Sequence, residues 1–66
     1  MSSTAGQREA AAEVQRLEVE ARYHRDRLAL YRARTVSAHP TSAGRLRELE
    51  RISAGADARL RHAQGR

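Results

Sequence analysis

Val36-Ser37-Ala38-His39-Pro40-Thr41 is the stretch on which the fold hinges. Pro40, the chain's one proline, disfavours a helical His39, and it cannot continue an upstream helix because its ring clashes with the preceding turn and it has no amide hydrogen. Residues 36–41 therefore read as a turn. Upstream, residues 5–35 contain only one early glycine, Gly6, in a background of Ala, Glu, Arg, Leu and Gln that favours helix. Residues 1–4 form a short flexible lead, in which Thr4 and Gln7 fit a capping box that starts the helix near Ala5. Glu9 and Glu13 are expected to face the positive end of its dipole, and Arg32 and Arg34 the negative end. Downstream, Thr41 or Ser42 offers an N-cap to a second helix over residues 42–64. Gly65 is placed to end that helix, and Gly55 weakens its middle.

The apolar spacing decides how the two helices meet. Val14, Leu17, Ala21, His24, Leu28 and Tyr31 alternate by three and four, as do Leu46, Leu49, Ser53, Ala56, Leu60 and Ala63. If the chain folds back on itself, opposed positions share a constant sum, and all six pairs from Tyr31 with Leu46 to Val14 with Ala63 add to 77. The half-sum, 38.5, falls between Ala38 and His39, inside the expected turn. Break and periodicity thus agree on an all-α fold, an antiparallel two-helix hairpin of coiled-coil type. The seam is uneven. Large residues occupy its ends, while Ala21 with Ala56 and His24 with Ser53 leave a narrow, partly polar waist.

A single seam is thin for a chain whose Leu, Ile, Val and Phe number 10 of 66 residues, about 15%. Disorder is the usual outcome below roughly 20% when net charge is high. The first helix carries a second stripe. Ala12, Val19, Tyr23 and Leu30 lie nearly opposite the seam on a wheel of about 100° per residue. The second helix has one stripe only, widened by Ile52 beside Leu49, so it covers one face of its partner. Ala12, Val19, Tyr23 and Leu30, with Ile52, are the candidate self-association residues. The economical outcome is a homodimer forming a four-helix bundle.

Size and composition exclude several functions. A 66-residue chain buries too little surface for an enclosed catalytic pocket with its own supporting shell, so a non-enzyme is expected. With no cysteine there is no disulfide framework, thiolate site or redox chemistry. Glu20 and His24 stand one turn apart while His39 and His62 lie far off, which gives no convergent ligand set, and neither metal nor cofactor is expected. Ser53 near His24 lacks an oxyanion donor at mid-helix, where backbone amides are already committed. No apolar run approaches the roughly 20 residues that span a bilayer, and Met1-Ser2-Ser3-Thr4 has no signal-peptide pattern. The chain is read as soluble and cytoplasmic, with no membrane or small-molecule partner.

Two features remain for function. His24 and Ser53 form a polar layer that fixes register as a buried Asn does, or, since histidine changes charge in the physiological range, a pH-sensitive one. The arginines are the second feature. All 13 basic residues are Arg against 8 acids, for a net charge of +5, a bias that a GC-rich genome also writes. The C-terminal half of helix one is basic, carrying Arg22, Arg25, Arg27, Arg32 and Arg34 against Asp26. Its N-terminal half is acidic, with Glu9, Glu13, Glu18 and Glu20 against Arg8 and Arg16. Arg25, Arg32, Arg34, Arg45 and Arg47 are the candidate basic contact patch near the turn. The structural alternative is a solvated flank whose arginines pair with acids one turn away, as Glu18 with Arg22 and Asp57 with Arg61 are spaced to do.

These readings converge on a small interaction protein, an adaptor or regulator that self-associates and offers its basic end to an acidic protein partner. The alternative is a nucleic-acid-associated protein that holds phosphates through those arginines, with retention on DNA that falls steeply with salt. A chain that folds only on its partner is the third reading.

Overall fold

The computed structural model describes residues 3–37 and 41–65, and both elements in them are helices. Helix α1 runs Ser3–Val36, 34 residues, and α2 runs Ala43–Gln64, 22 residues. They pack against each other as a helical hairpin, a rod with extents of 58 × 14 × 12 Å. Met1 and Ser2 of the expected lead, and Ala38, His39 and Pro40 of the expected turn, lie outside the described residues.

Burial follows the heptad positions. From residue 5 to 37, the six seam residues of α1 and Glu20 are the ones not exposed. Leu17, Ala21, Leu28, Leu49, Ser53 and Ala56 are buried, and Val14, His24, Tyr31, Leu46, Leu60 and Ala63 are half-buried. The deepest positions are the smallest: Ala21 is 0% exposed and Ala56 1%. Two methyl groups facing each other let the helix backbones close up, and the leucines on either side shield the contact. The waist is the most completely buried part of the hairpin rather than a gap in it.

The helix ends depart from expectation in instructive ways. Helix α1 starts two residues before Ala5 and takes in Ser3 and Thr4, so Thr4 lies within the first turn. Terminal turns shift by a residue or two where no strong breaker stands. With that start, the first turn holds no acid. Glu9 stands too far along to gain from the dipole, which fades within one turn. At the other end α1 continues through Val36. The Thr35 hydroxyl donates to Arg32 O at 2.6 Å, and the Ser37 hydroxyl to Ala33 O at 3.0 Å. These satisfy carbonyls that a helix end leaves open. Of the two N-cap candidates, Ser42 is the one used. Its backbone is extended, and its Oγ accepts from the Arg45 amide at 2.9 Å. Helix α2 therefore begins at Ala43, one residue later than expected, and Gly65 closes it by donating its N–H to Arg61 O at 3.0 Å.

One device ties the two ends of the connection together. The Ser42 amide donates to the Tyr31 hydroxyl at 2.7 Å, and that hydroxyl lies 3.4 Å from Ser42 O. Tyr31 fills the last seam position of α1 with its ring and fixes the first residue before α2 with its oxygen. The N-cap of α2 is thereby anchored to α1.

Helix α2 is shorter than α1 by about three turns. In the register that sums to 77, its last residue, Gln64, stands level with Glu13. The stretch of α1 before Glu13 projects past the end of α2, and residues 5–12 are all exposed.

Two substitutions test this description. Tyr31→Phe keeps the ring but leaves the Ser42 amide without its acceptor, and is expected to cost about 0.5–1.5 kcal/mol in urea denaturation. A Cβ on Gly55 meets only the Arg59 guanidinium at 3.6 Å, an ordinary contact. Gly55→Ala is therefore expected to stabilise by about 0.5–1 kcal/mol in the same assay.

Candidate interaction surfaces

The outer stripe is a physical feature of the hairpin. Helix α1 turns its seam onto α2 and leaves Ala12, Val19, Tyr23 and Leu30 facing away. Val19 is 70% exposed, Tyr23 55% and Leu30 67%. Tyr23 does not stand alone: the His24 ring meets it edge-on with centroids 5.3 Å apart, and the Arg27 guanidinium lies 5.7 Å above its centroid. These contacts hold the ring in place while leaving much of it open. Ile52 lies on α2 and is half-buried.

Two residues inside the stripe are polar. Continuing its three-four spacing places Arg16 between Ala12 and Val19, and Asp26 between Tyr23 and Leu30. Arg16 is held by two acids of its own helix, Glu13 at 2.7 Å and Glu20 at 2.9 Å. The hydrogen bond to Glu13, followed by the charges of Glu13 and Glu20, raises the guanidinium pKa above its usual value. Asp26 forms no ion pair among the described residues.

The five arginines of the expected contact patch do not share one surface. Arg34 and Arg45 line an open recess of about 240 Å³ near the turn, with Arg27, Leu30, Tyr31 and Leu49. Arg25 lines a different recess beside Arg22 and Leu60. Arg32 crosses between the helices to Glu50 at 3.1 Å, and Arg45 pairs with Glu48 at 3.4 Å. Arg25, Arg34 and Arg47 form no ion pair among the described residues, so the basic end keeps uncommitted charge on both flanks. The one-turn pairs expected from spacing, Glu18 with Arg22 and Asp57 with Arg61, do not form. Spacing permits such contacts without choosing among them, and exposed pairs differ by less than about 1 kcal/mol.

The polar layer is lopsided. Ser53 is buried at 4% exposure while His24 is half-buried, and among the described residues no hydrogen bond joins their side chains. The imidazole turns its edge to Tyr23 instead. At the far end, Glu13, Leu17, Ala58, Arg59, His62 and Ala63 line a shallow groove of about 340 Å³.

Among the described residues no group of three or more His, Asp or Glu is placed to hold a metal ion, and no helix is long and apolar enough to cross a membrane. No family model matches the chain, and no curated protein or solved structure matches it either. Two contacts lay beyond the sequence patterns used above. The Tyr31 clamp was signalled only by a phenol at the last seam position before the turn, whose oxygen needs a partner. The Glu13-Arg16-Glu20 cluster was signalled by its i, i+3 and i, i+4 spacing.

His24→Leu places an aliphatic side chain opposite Ser53, and is expected to stabilise the hairpin by roughly 1 kcal/mol. A lower unfolding midpoint than the parent's would mean that the histidine itself supports the seam.

Proposed function

We propose that the protein is a non-catalytic helical-hairpin interaction module. It self-associates through the outer stripe of α1 into a four-helix assembly, and acts as an adaptor or regulator by offering its basic turn end to an acidic macromolecule. The observation that carries this reading is the exposure of Val19, Tyr23 and Leu30 in one row, on a helix whose opposite face is already covered. An aromatic anchored by its neighbours and flanked by aliphatics is the kind of residue that carries binding energy at protein interfaces. Such a stripe on a charged helix also gives a reason for a second partner. A helix apolar on two faces has two neighbours, and α2 supplies one.

The basic end adds the outward-facing part. Arg34, Arg45 and Arg27 converge around the apolar floor formed by Leu30, Tyr31 and Leu49. Forked donors above apolar atoms suit carboxylates carried on a protein partner. The recess is split from Arg25, so its chemistry favours a local acidic contact over a continuous track along a phosphate backbone.

Light scattering across a concentration series, at low and high salt, tests the self-association. The parent is expected to show a dimer that persists at high salt, and Tyr23→Glu a monomer of unchanged helicity. A parent that stays monomeric at all concentrations would overturn self-association. Arg45→Glu, on α2 and away from the stripe, is expected to leave the dimer intact while weakening retention on an immobilised poly-glutamate column.

A further inference from the structure

The outer stripe has a register of its own. Ala12, Arg16, Val19, Tyr23, Asp26 and Leu30 follow one another by four and three, so they make a second complete heptad seam. Laid antiparallel against an identical helix, this seam matches itself about a single axis. Ala12 meets Leu30, Arg16 meets Asp26 and Val19 meets Tyr23, every pair adding to 42. The two polar residues that interrupt the stripe carry opposite charge and fall opposite each other. The two aliphatic-aromatic layers at its centre and the two Ala-Leu layers at its ends interleave large with small.

We infer that the partner of the outer stripe is a second copy of this chain, bound antiparallel about a two-fold axis level with Ala21, with Arg16 of each copy paired to Asp26 of the other. This deepens the self-association proposed above and rests on it. Four observations converge on this arrangement. Asp26 has no ion pair among the described residues, although it sits in the row of apolar residues. Arg16 engages Glu13 through Nη2 and Glu20 through Nη1, so among the described residues its Nε–H is left for a further acid.

The charge halves of α1 are complementary only when the copies run in opposite directions. On one flank, Glu13 and Glu20 run beside Arg27 and Arg34 of the second copy. The cost is near the axis, where Arg22 and Glu20 each approach their own equivalents on the solvent side. A parallel pairing would instead set Arg16 on Arg16 and Asp26 on Asp26 inside the seam.

The fourth observation is the overhang. Residues 5–12 lie beyond the end of α2 and are exposed, and a helical stretch of that length is marginal in water without tertiary contacts. In the antiparallel pairing Ala5 comes level with Ser37 of the second copy and Glu9 with Ala33, so the overhang gains a neighbour. Because the stripe lies roughly 150° round the helix from the α2 seam, the four helices stand in a row, α2 and α1 of one copy beside α1 and α2 of the other. A closed square bundle would need the two contacts closer to a right angle.

Cysteine pairing reads the register directly, since the chain has no cysteine of its own. Ala12→Cys and Leu30→Cys lie at exposed positions, and the inference places these two residues side by side across the axis. It separates each from its own equivalent by about 27 Å along the helix. Mixed and mildly oxidised with copper phenanthroline, the two variants are expected to give the mixed disulfide. Each alone is expected to stay uncross-linked.

Charge reversal reads the pairing. Arg16→Asp alone and Asp26→Arg alone are each expected to weaken the dimer about tenfold or more, and the two together to restore it, measured by sedimentation equilibrium with helicity checked in each variant. The double variant keeps the local cost of an acid beside Glu13 and Glu20, so recovery reports the contact between copies. If each cysteine variant cross-links to itself as readily as to the other, or the double reversal is no better than the singles, the register is overturned while self-association through Tyr23 stands. A parent that is monomeric throughout would remove both.

Discussion

A 34-residue helix has been given a 22-residue partner, and the rest of the molecule depends on that shortfall. Helix α2 covers one face of α1 over part of its length. It leaves a row of apolar side chains on the opposite face and an exposed N-terminal stretch that projects past the end of α2. Hydrophobic burial is the main favourable term in folding, and this chain has little apolar material to bury. Where it places Val19, Tyr23 and Leu30 is therefore a strong statement about where it expects a neighbour.

The hairpin makes do with a narrow seam that is most fully buried at its centre. Ala21 and Ala56 allow close approach of the backbones, and Leu17, Leu28 and Leu49 close over them. The Tyr31–Ser42 hydrogen bond then fixes the angle at which the chain enters α2. Ring, hydroxyl and N-cap act together there, so the turn end is held by directional contacts while the middle is held by fit. The exposed ion pairs add little stability individually. Arg32 with Glu50 nonetheless links the two helices on the flank away from the stripe.

Periodicity carried most of the fold. Every buried residue on the two helices is a seam residue and the remaining seam residues are half-buried, because a three-four alternation gathers side chains on one face of a helix. The cap of α2 was legible as Thr41 or Ser42, because a hydroxyl residue before a helical run has a specific job, and the structure uses Ser42. The ends of α1 were less legible. Thr4 looks like a cap in sequence, yet the backbone continues past it, and Thr35 and Ser37 extend the other end through hydroxyl contacts that helix propensity does not encode. Surface charge was the least legible part. Arginines close in sequence fall on different flanks once the helix is wound, which split Arg34 and Arg45 from Arg25. The choice of acid for each arginine rests on differences smaller than sequence patterns resolve. Arg16 and Asp26 share the three-four spacing of the apolar stripe, and a reading confined to apolar residues passes over them.

The proposed assembly turns a marginal hairpin into a symmetric object whose two basic ends point in opposite directions, each beside the N-terminal overhang of the other copy. Its central claim is that α1 serves two neighbours at once, its own α2 and a second α1. Amide hydrogen exchange followed residue by residue, at low and at high protein concentration, addresses that claim most directly. The account predicts that the amides of residues 5–12 exchange fast in dilute solution and become protected as concentration rises, whereas those around Ala21 and Ala56 are the best protected at every concentration. Protection of residues 5–12 that stays the same across the concentration range would contradict it.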